Sequence, residues 1–140
     1  MKKNETIAEA SVALIVSGDE LDMEELTACL RLQPTRIIHK GEVVGRIPAP
    51  LLAGQDQWIY TCPLTETYDA DTTLISLLTD LQQVKDELHA LSATGNTVTL
   101  QLYVKSDHAH MFYRLMPETL THLVALGIPL EISSFSWGGL

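Results

Sequence analysis

Long apolar runs are missing from this sequence. None approaches the ~20 residues that a membrane helix needs, so no membrane span is expected. The stretch Val12–Val16 ends in Ser17-Gly18-Asp19 and reads as a strand. Met1-Lys2-Lys3-Asn4-Glu5 begins like a secretory leader, but no apolar segment follows it directly, so a cytoplasmic protein is expected. Cysteine is sparse. Cys29 and Cys62 are the two present, with no CxxC or Cys/His spacing, which signals neither a zinc site nor a redox pair. Each is expected to act as a small core hydrophobe. Positive charge is scarce as well: 9 Lys and Arg stand against 18 Asp and Glu, a net −9. That balance argues against non-specific binding to nucleic acid or anionic membrane. GxSxG, GxGxxG and GxxxxGK[ST] are all absent, and no spacing couples a nucleophile to a base. Triads can assemble from distant positions, so an enzyme is not excluded, but the reading leans against one. No cofactor is indicated.

What is present fits one domain. The chain has 140 residues, 46% of them hydrophobic, and a chain of that size buries roughly two-thirds of its unfolded surface without metal or disulfide staples. The expected organisation is an N-terminal extension over 1–10, a single α+β domain over 11–137, and a tail over 138–140. No repeat, linker or low-complexity stretch interrupts it.

Ser11–Ser17 carries Val12, Leu14 and Val16 on one face and Ala13 and Ile15 on the other, the pattern of a strand near the middle of a sheet. Asp22 can cap the next helix, with Glu25 at the capping-box spacing. Met23, Leu26, Cys29 and Leu30 follow at helical intervals, and Pro34 stops the run. Ile37-Ile38 and Val43-Val44 flank Lys40-Gly41 as a short hairpin or an ordered loop. Trp58, Tyr60 and Cys62 alternate as a strand closed by Pro63. One long helix is expected from Leu74 through Leu77, Leu81, Val84, Leu88 and Leu91, capped by Asp71 or Thr72 and leaving through Gly95-Asn96.

Thr97–Lys105 alternates throughout. Val98, Leu100, Leu102 and Val104 point one way and polar residues the other, so one face packs on helices while the other meets water. His110–Leu115 is a further possible strand. A last helix starts at Pro117 and exits at Gly127, and Leu130–Trp137 closes the sheet. The fold class is α+β: a two-layer sandwich of a mixed or antiparallel sheet with helices on one face, a ferredoxin-like arrangement being the first choice.

Three groups stand out chemically. His108-Ala109-His110, beside Asp107, offers two imidazoles without a third ligand, and no metal site is assigned. Asp19, Glu20, Asp22, Glu24 and Glu25 form the densest acidic cluster, which the dipole at a helix N-terminus already accounts for. Arg31–Arg46 runs the other way, with four bases (Arg31, Arg36, Lys40, Arg46) and one acid (Glu42). Within it Arg36 offers a planar fork, Lys40 a point charge and Gly41 room for a positive φ. Arg36, His39, Lys40 and Gly41 are therefore the candidate contacts for an anion or a partner, against the alternative that these bases pair internally.

Ser17-Gly18-Asp19-Glu20-Leu21-Asp22, Glu25-Leu26, Leu32-Gln33-Pro34-Thr35-Arg36 and Lys40-Gly41-Glu42 resemble the bacterial family known as domain of unknown function 4279. The likeness spans roughly Ser11 to Phe135. A Trp-bearing strand at Gln57–Tyr60 and a helix ending Leu126-Gly127-Ile128 continue it, although the Pro/Ala-rich segment before the Trp is longer than the pattern suggests. The resemblance implies one compact domain and brings no reaction, cofactor or catalytic residue.

The leading functional expectation is a non-enzymatic protein-binding module, in one version an immunity-type inhibitor whose acidity suits a basic toxin. Self-association through a sheet edge is the plainer version, so the chain is read as a monomer or homodimer. The alternatives are a small-anion domain for phosphate or carboxylate, and an unrecognised hydrolase or transferase with His39 or His110 as base.

Overall fold

The computed structural model describes residues 7–45, 51–64, 70–106 and 113–136. Among them the order is β1 (Ile7–Gly18), α1 (Met23–Leu30), β2 (Arg36–Ile38), β3 (Val43–Gly45), β4 (Leu51–Leu52), β5 (Asp56–Pro63), α2 (Ala70–Gln82), α3 (Lys85–Ala93), β6 (Thr97–Ser106), α4 (Pro117–Leu126) and β7 (Leu130–Ser136). No described helix is long and apolar enough to cross a membrane.

Five strands form a mixed sheet in the order β2-β5-β1-β6-β7, and β3 pairs with β4 in a small second sheet. As its two-faced apolar pattern requires, β1 is central, antiparallel to both β5 and β6. Register places Trp58, Tyr60 and Cys62 beside Val16, Leu14 and Val12, and these in turn beside Val98, Leu100 and Leu102. That face, under Leu26, Leu30, Leu74, Leu78, Leu81 and Leu88, is the core. Two β-α-β connections, β1-α1-β2 around β5 and β5-α2-α3-β6 around β1, are split by an intervening antiparallel strand. This interleaving is the split β-α-β plan. The parallel strand β7 and the β3-β4 pair stand outside that interleaving.

Asp22 caps α1 by accepting the Glu25 N–H at 3.1 Å. The helix ends at Arg31, a non-glycine residue with φ 60°, several residues before Pro34. Pro117 opens α4, and Gly127, at φ 72°, ends it. The single long helix expected after residue 70 is in fact two. The N–H groups of Gln83 and Val84 bond back to Asp80 and Leu81, three residues earlier, tightening one turn into 3₁₀-like geometry. Leu88 then bonds to Val84 and the helix resumes. Leu81, Val84 and Leu88 all stay buried, so the apolar stripe passes through the break unchanged.

Ile37-Ile38 and Val43-Val44 are not two arms of one hairpin. The first pairs with β5 and the second lies in the strand that pairs with β4, so the chain changes sheets at His39–Glu42. The sheet face away from the helices is less wet than the alternation suggests. Ala13, Thr99 and Ile38 are buried on it, with Ile15 and Ile59 half-buried. The strand expected at 110–115 lies largely outside the described residues; Tyr113 and Leu115 pack against the core without joining a ladder.

Candidate functional site

The turn from β1 into α1 and the exit of α3 meet at one end of the sheet, where Ser17 pairs with Thr97. Between them lies a groove of about 350 Å³. Leu21, Leu26, Ala90 and Leu91 give it an apolar floor, and Cys29 lines it partway along α1. Its rim carries four carboxylates: Glu20, Asp22 and Glu25 on one side and Glu87 on the other, with Thr94 and Asn96 nearby. No lining residue is basic.

Local rules put these groups here. Asp22 and Glu25 belong to the start of α1, and Glu87 to the first turn of α3, where the helix dipole favours negative charge. Each acid is therefore stable in its own helix, and packing α1 on α3 brings the two sets face to face. The result is a concavity with the negative potential of four carboxylates over a floor that gains by being covered. Chemically it suits a cation on an apolar stem, such as a lysine or arginine side chain. Gly18 lets the Asn96 side chain lie close against this corner, since a Cβ there would force Asn96 Oδ1 to shift.

The basic segment lies across a carboxylate from this groove. Thr35 sets β2 on β5: its N–H reaches Ile59 O at 2.8 Å, and its Oγ1 accepts from the Thr61 N–H at 3.1 Å. Arg36 follows, exposed and opposite Ile59. His39, Lys40 and Gly41 then form an exposed turn with Gly41 at φ 93°, so the positive φ expected there is present. Among the described residues the side chains of Arg36, His39 and Lys40 make no hydrogen bond or ion pair. The backbone of the turn is already engaged. Lys40 N–H donates to Asp56 Oδ1 at 2.7 Å, His39 N–H to Glu42 Oε1, and Gly41 N–H to Ala53 O at 2.9 Å.

Asp56 also accepts from Leu21 N–H through Oδ2 at 3.1 Å. The bonds from Lys40 and Leu21, followed by the nearby charges of His39 and Lys40, hold its carboxyl below the ordinary aspartate value. On β5, burial pushes the Cys62 thiol up, and the neighbouring Cys62 together with burial raises Tyr60.

The four candidates Arg36, His39, Lys40 and Gly41 thus sit on one strand and the turn that follows it. Arg46 and the Asp107–His110 group lie outside the described residues. Among the described residues no three His, Cys, Asp or Glu side chains gather as metal ligands. The groove was only half visible in the sequence. The acids near Asp22 are conspicuous, but Glu87 and Asn96 come from a distant segment, and nothing in their spacing announces the meeting.

The family model described as "Domain of unknown function (DUF4279)" matches residues 8–135. The chain belongs to that family. No curated protein and no solved structure matches it.

Proposed function

We propose that this member of the DUF4279 family is a non-enzymatic protein-binding module that receives a basic segment of a partner in the groove between α1 and α3. The observation that carries the reading is the acidic rim of Glu20, Asp22, Glu25 and Glu87 around an apolar floor without any basic lining residue. A net charge of −9 adds long-range steering toward a positive partner, and steering of this kind raises association rates most at low salt. An immunity-type inhibitor facing a basic toxin is one form of this function.

The test is titration of the protein with a fluorescent Lys/Arg-rich peptide and an acidic control peptide at several ionic strengths. Binding of the basic peptide is expected, weakening as salt rises and lost in a Glu25→Lys/Glu87→Lys variant that keeps the wild-type circular dichroism. Binding that ignores both salt and charge reversal would remove the groove from the explanation.

A second reading rests on the exposed side chains of Arg36, His39 and Lys40 beside Gly41, which make no hydrogen bond among the described residues. These would contact a phosphate or carboxylate group. Such a ligand at a hundredfold excess over its Kd should stabilise the fold by about 2.7 kcal/mol. An Arg36→Ala/Lys40→Ala variant should lose that shift in a panel of phosphate and dicarboxylates.

A further inference from the structure

The two edges of the main sheet are finished differently. On one side β2 is three residues long, carries Arg36 and follows Pro34, which are devices that discourage edge pairing. On the other side β7 runs seven residues, Leu130–Ser136, in unbroken parallel register with β6. It holds no proline, lysine or arginine, and Glu131 is its one charge. Among the described residues no strand pairs with its outer side.

A second feature lies on the helix layer beside that edge. Leu120 and Val124 stand four residues apart on α4 and so share one stripe, and Met116, the extended residue just before the helix, leads into it. All three are exposed, Val124 at 78%. The face of α4 that packs inward is a different one, made by Thr119, Leu123 and Leu126. β-α-β units connect with right-handed crossovers. In that sense of connection, α4 lies between α2 and the β7 edge, with Leu120 and Val124 on its β7 side, while the Met116 N–H is held by Asp71 at the start of α2. Ile132, on the helix side of β7 opposite Leu102, is 67% exposed.

We propose that this chain forms a two-fold homodimer through β7, with the two sheets joined edge to edge and the α4 stripes packed against each other above the seam. A second copy is the occupant that covers both features at once. An extended peptide would pair the strand and leave the stripe bare, and a helical partner would do the reverse. An isologous contact is also self-complementary by construction. Charge permits it, because Pro117–Ser136 contains only Glu118 and Glu131 as ionised groups at neutral pH when His122 is neutral. In an antiparallel pairing centred on Ser133, each Glu131 faces position 135 of the other copy, so the two acids stand apart.

The experiment is light scattering coupled to gel filtration across a dilution series, with wild type beside Val124→Glu and Ile132→Glu variants whose circular dichroism and melting temperature are recorded. The expected result is a wild-type particle of twice the 15.5 kDa chain mass that dissociates on dilution, and folded monomers for both variants. A wild type that is monomeric at every concentration would overturn the proposal. So would a dimer that survives both substitutions, since it would have to use another surface.

Discussion

The backbone N–H of Lys40 ends on Oδ1 of Asp56, 2.7 Å away. The other oxygen of that carboxylate holds the N–H of Leu21 at 3.1 Å. One side chain therefore ties together the two most distinctive stretches of the chain, Gly18–Asp22 and His39–Glu42. It fills the position that an external anion would take at the Lys40 amide, and it fixes the rim of the acidic groove relative to the basic turn.

That role predicts a pH signature. The folded Asp56 carboxyl lies below its ordinary value of 3.8, so its stabilisation is fully present above that value and is lost as pH falls through the lower folded one. An Asp56→Asn variant should be less stable than wild type at neutral pH, with the gap closing in acid. Thermal melts of both proteins across the acid range check this. A gap that stays constant would mean that the charge of the carboxylate contributes nothing.

The groove predicts a charge preference at Cys29. In a Cys62→Ala background, a cationic thiosulfonate should label Cys29 faster than an anionic one of similar size, by roughly fivefold for a difference of about 1 kcal/mol between the two. Added salt should shrink the ratio. In wild type, Cys62 should lag, because burial raises its thiol and the thiolate is the reactive form. Mass spectrometry of timed samples reads each site, and equal rates for the two reagents would remove the electrostatic account of the groove.

Trp58 is fully buried, and its Nε1–H donates to Thr27 Oγ1 at 3.1 Å. Thr27→Val keeps the shape but leaves that donor unpaired in the core, at a cost of about 1–3 kcal/mol. Thr27→Ser retains the hydroxyl and should cost less. Urea denaturation followed by tryptophan fluorescence compares them, and a Thr27→Val loss no larger than the Thr27→Ser loss would mean that the bond contributes no more than the methyl group.

Much of the fold was legible where one local rule decides it. The faultless alternation of Thr97–Lys105 marks β6, and Asp22 with Glu25 marks the start of α1. The α2–α3 break was hidden because Leu81, Val84 and Leu88 keep helical spacing straight through it. The fates of Ile37-Ile38 and Val43-Val44 were hidden for another reason. The two pairs look alike, and what separates them are their ladder partners, Trp58 and Gln57 for the first and Leu52 for Val43. The groove follows the same logic. Its acids near Asp22 are explained locally by the helix dipole, and only tertiary packing sets Glu87 across from them.

The central place of β1 has a consequence for synthesis. This strand emerges from the ribosome well before one of its two partners, β6, and Ser17 must wait for Thr97, 80 residues later. At about 5–20 residues per second that wait lasts roughly 4 to 16 s. Through it Val12, Leu14 and Val16 stand on a strand with an unpaired side, available to chaperones or to a neighbouring nascent chain. The most protected strand of the finished protein is thus among the most vulnerable while the chain is being made.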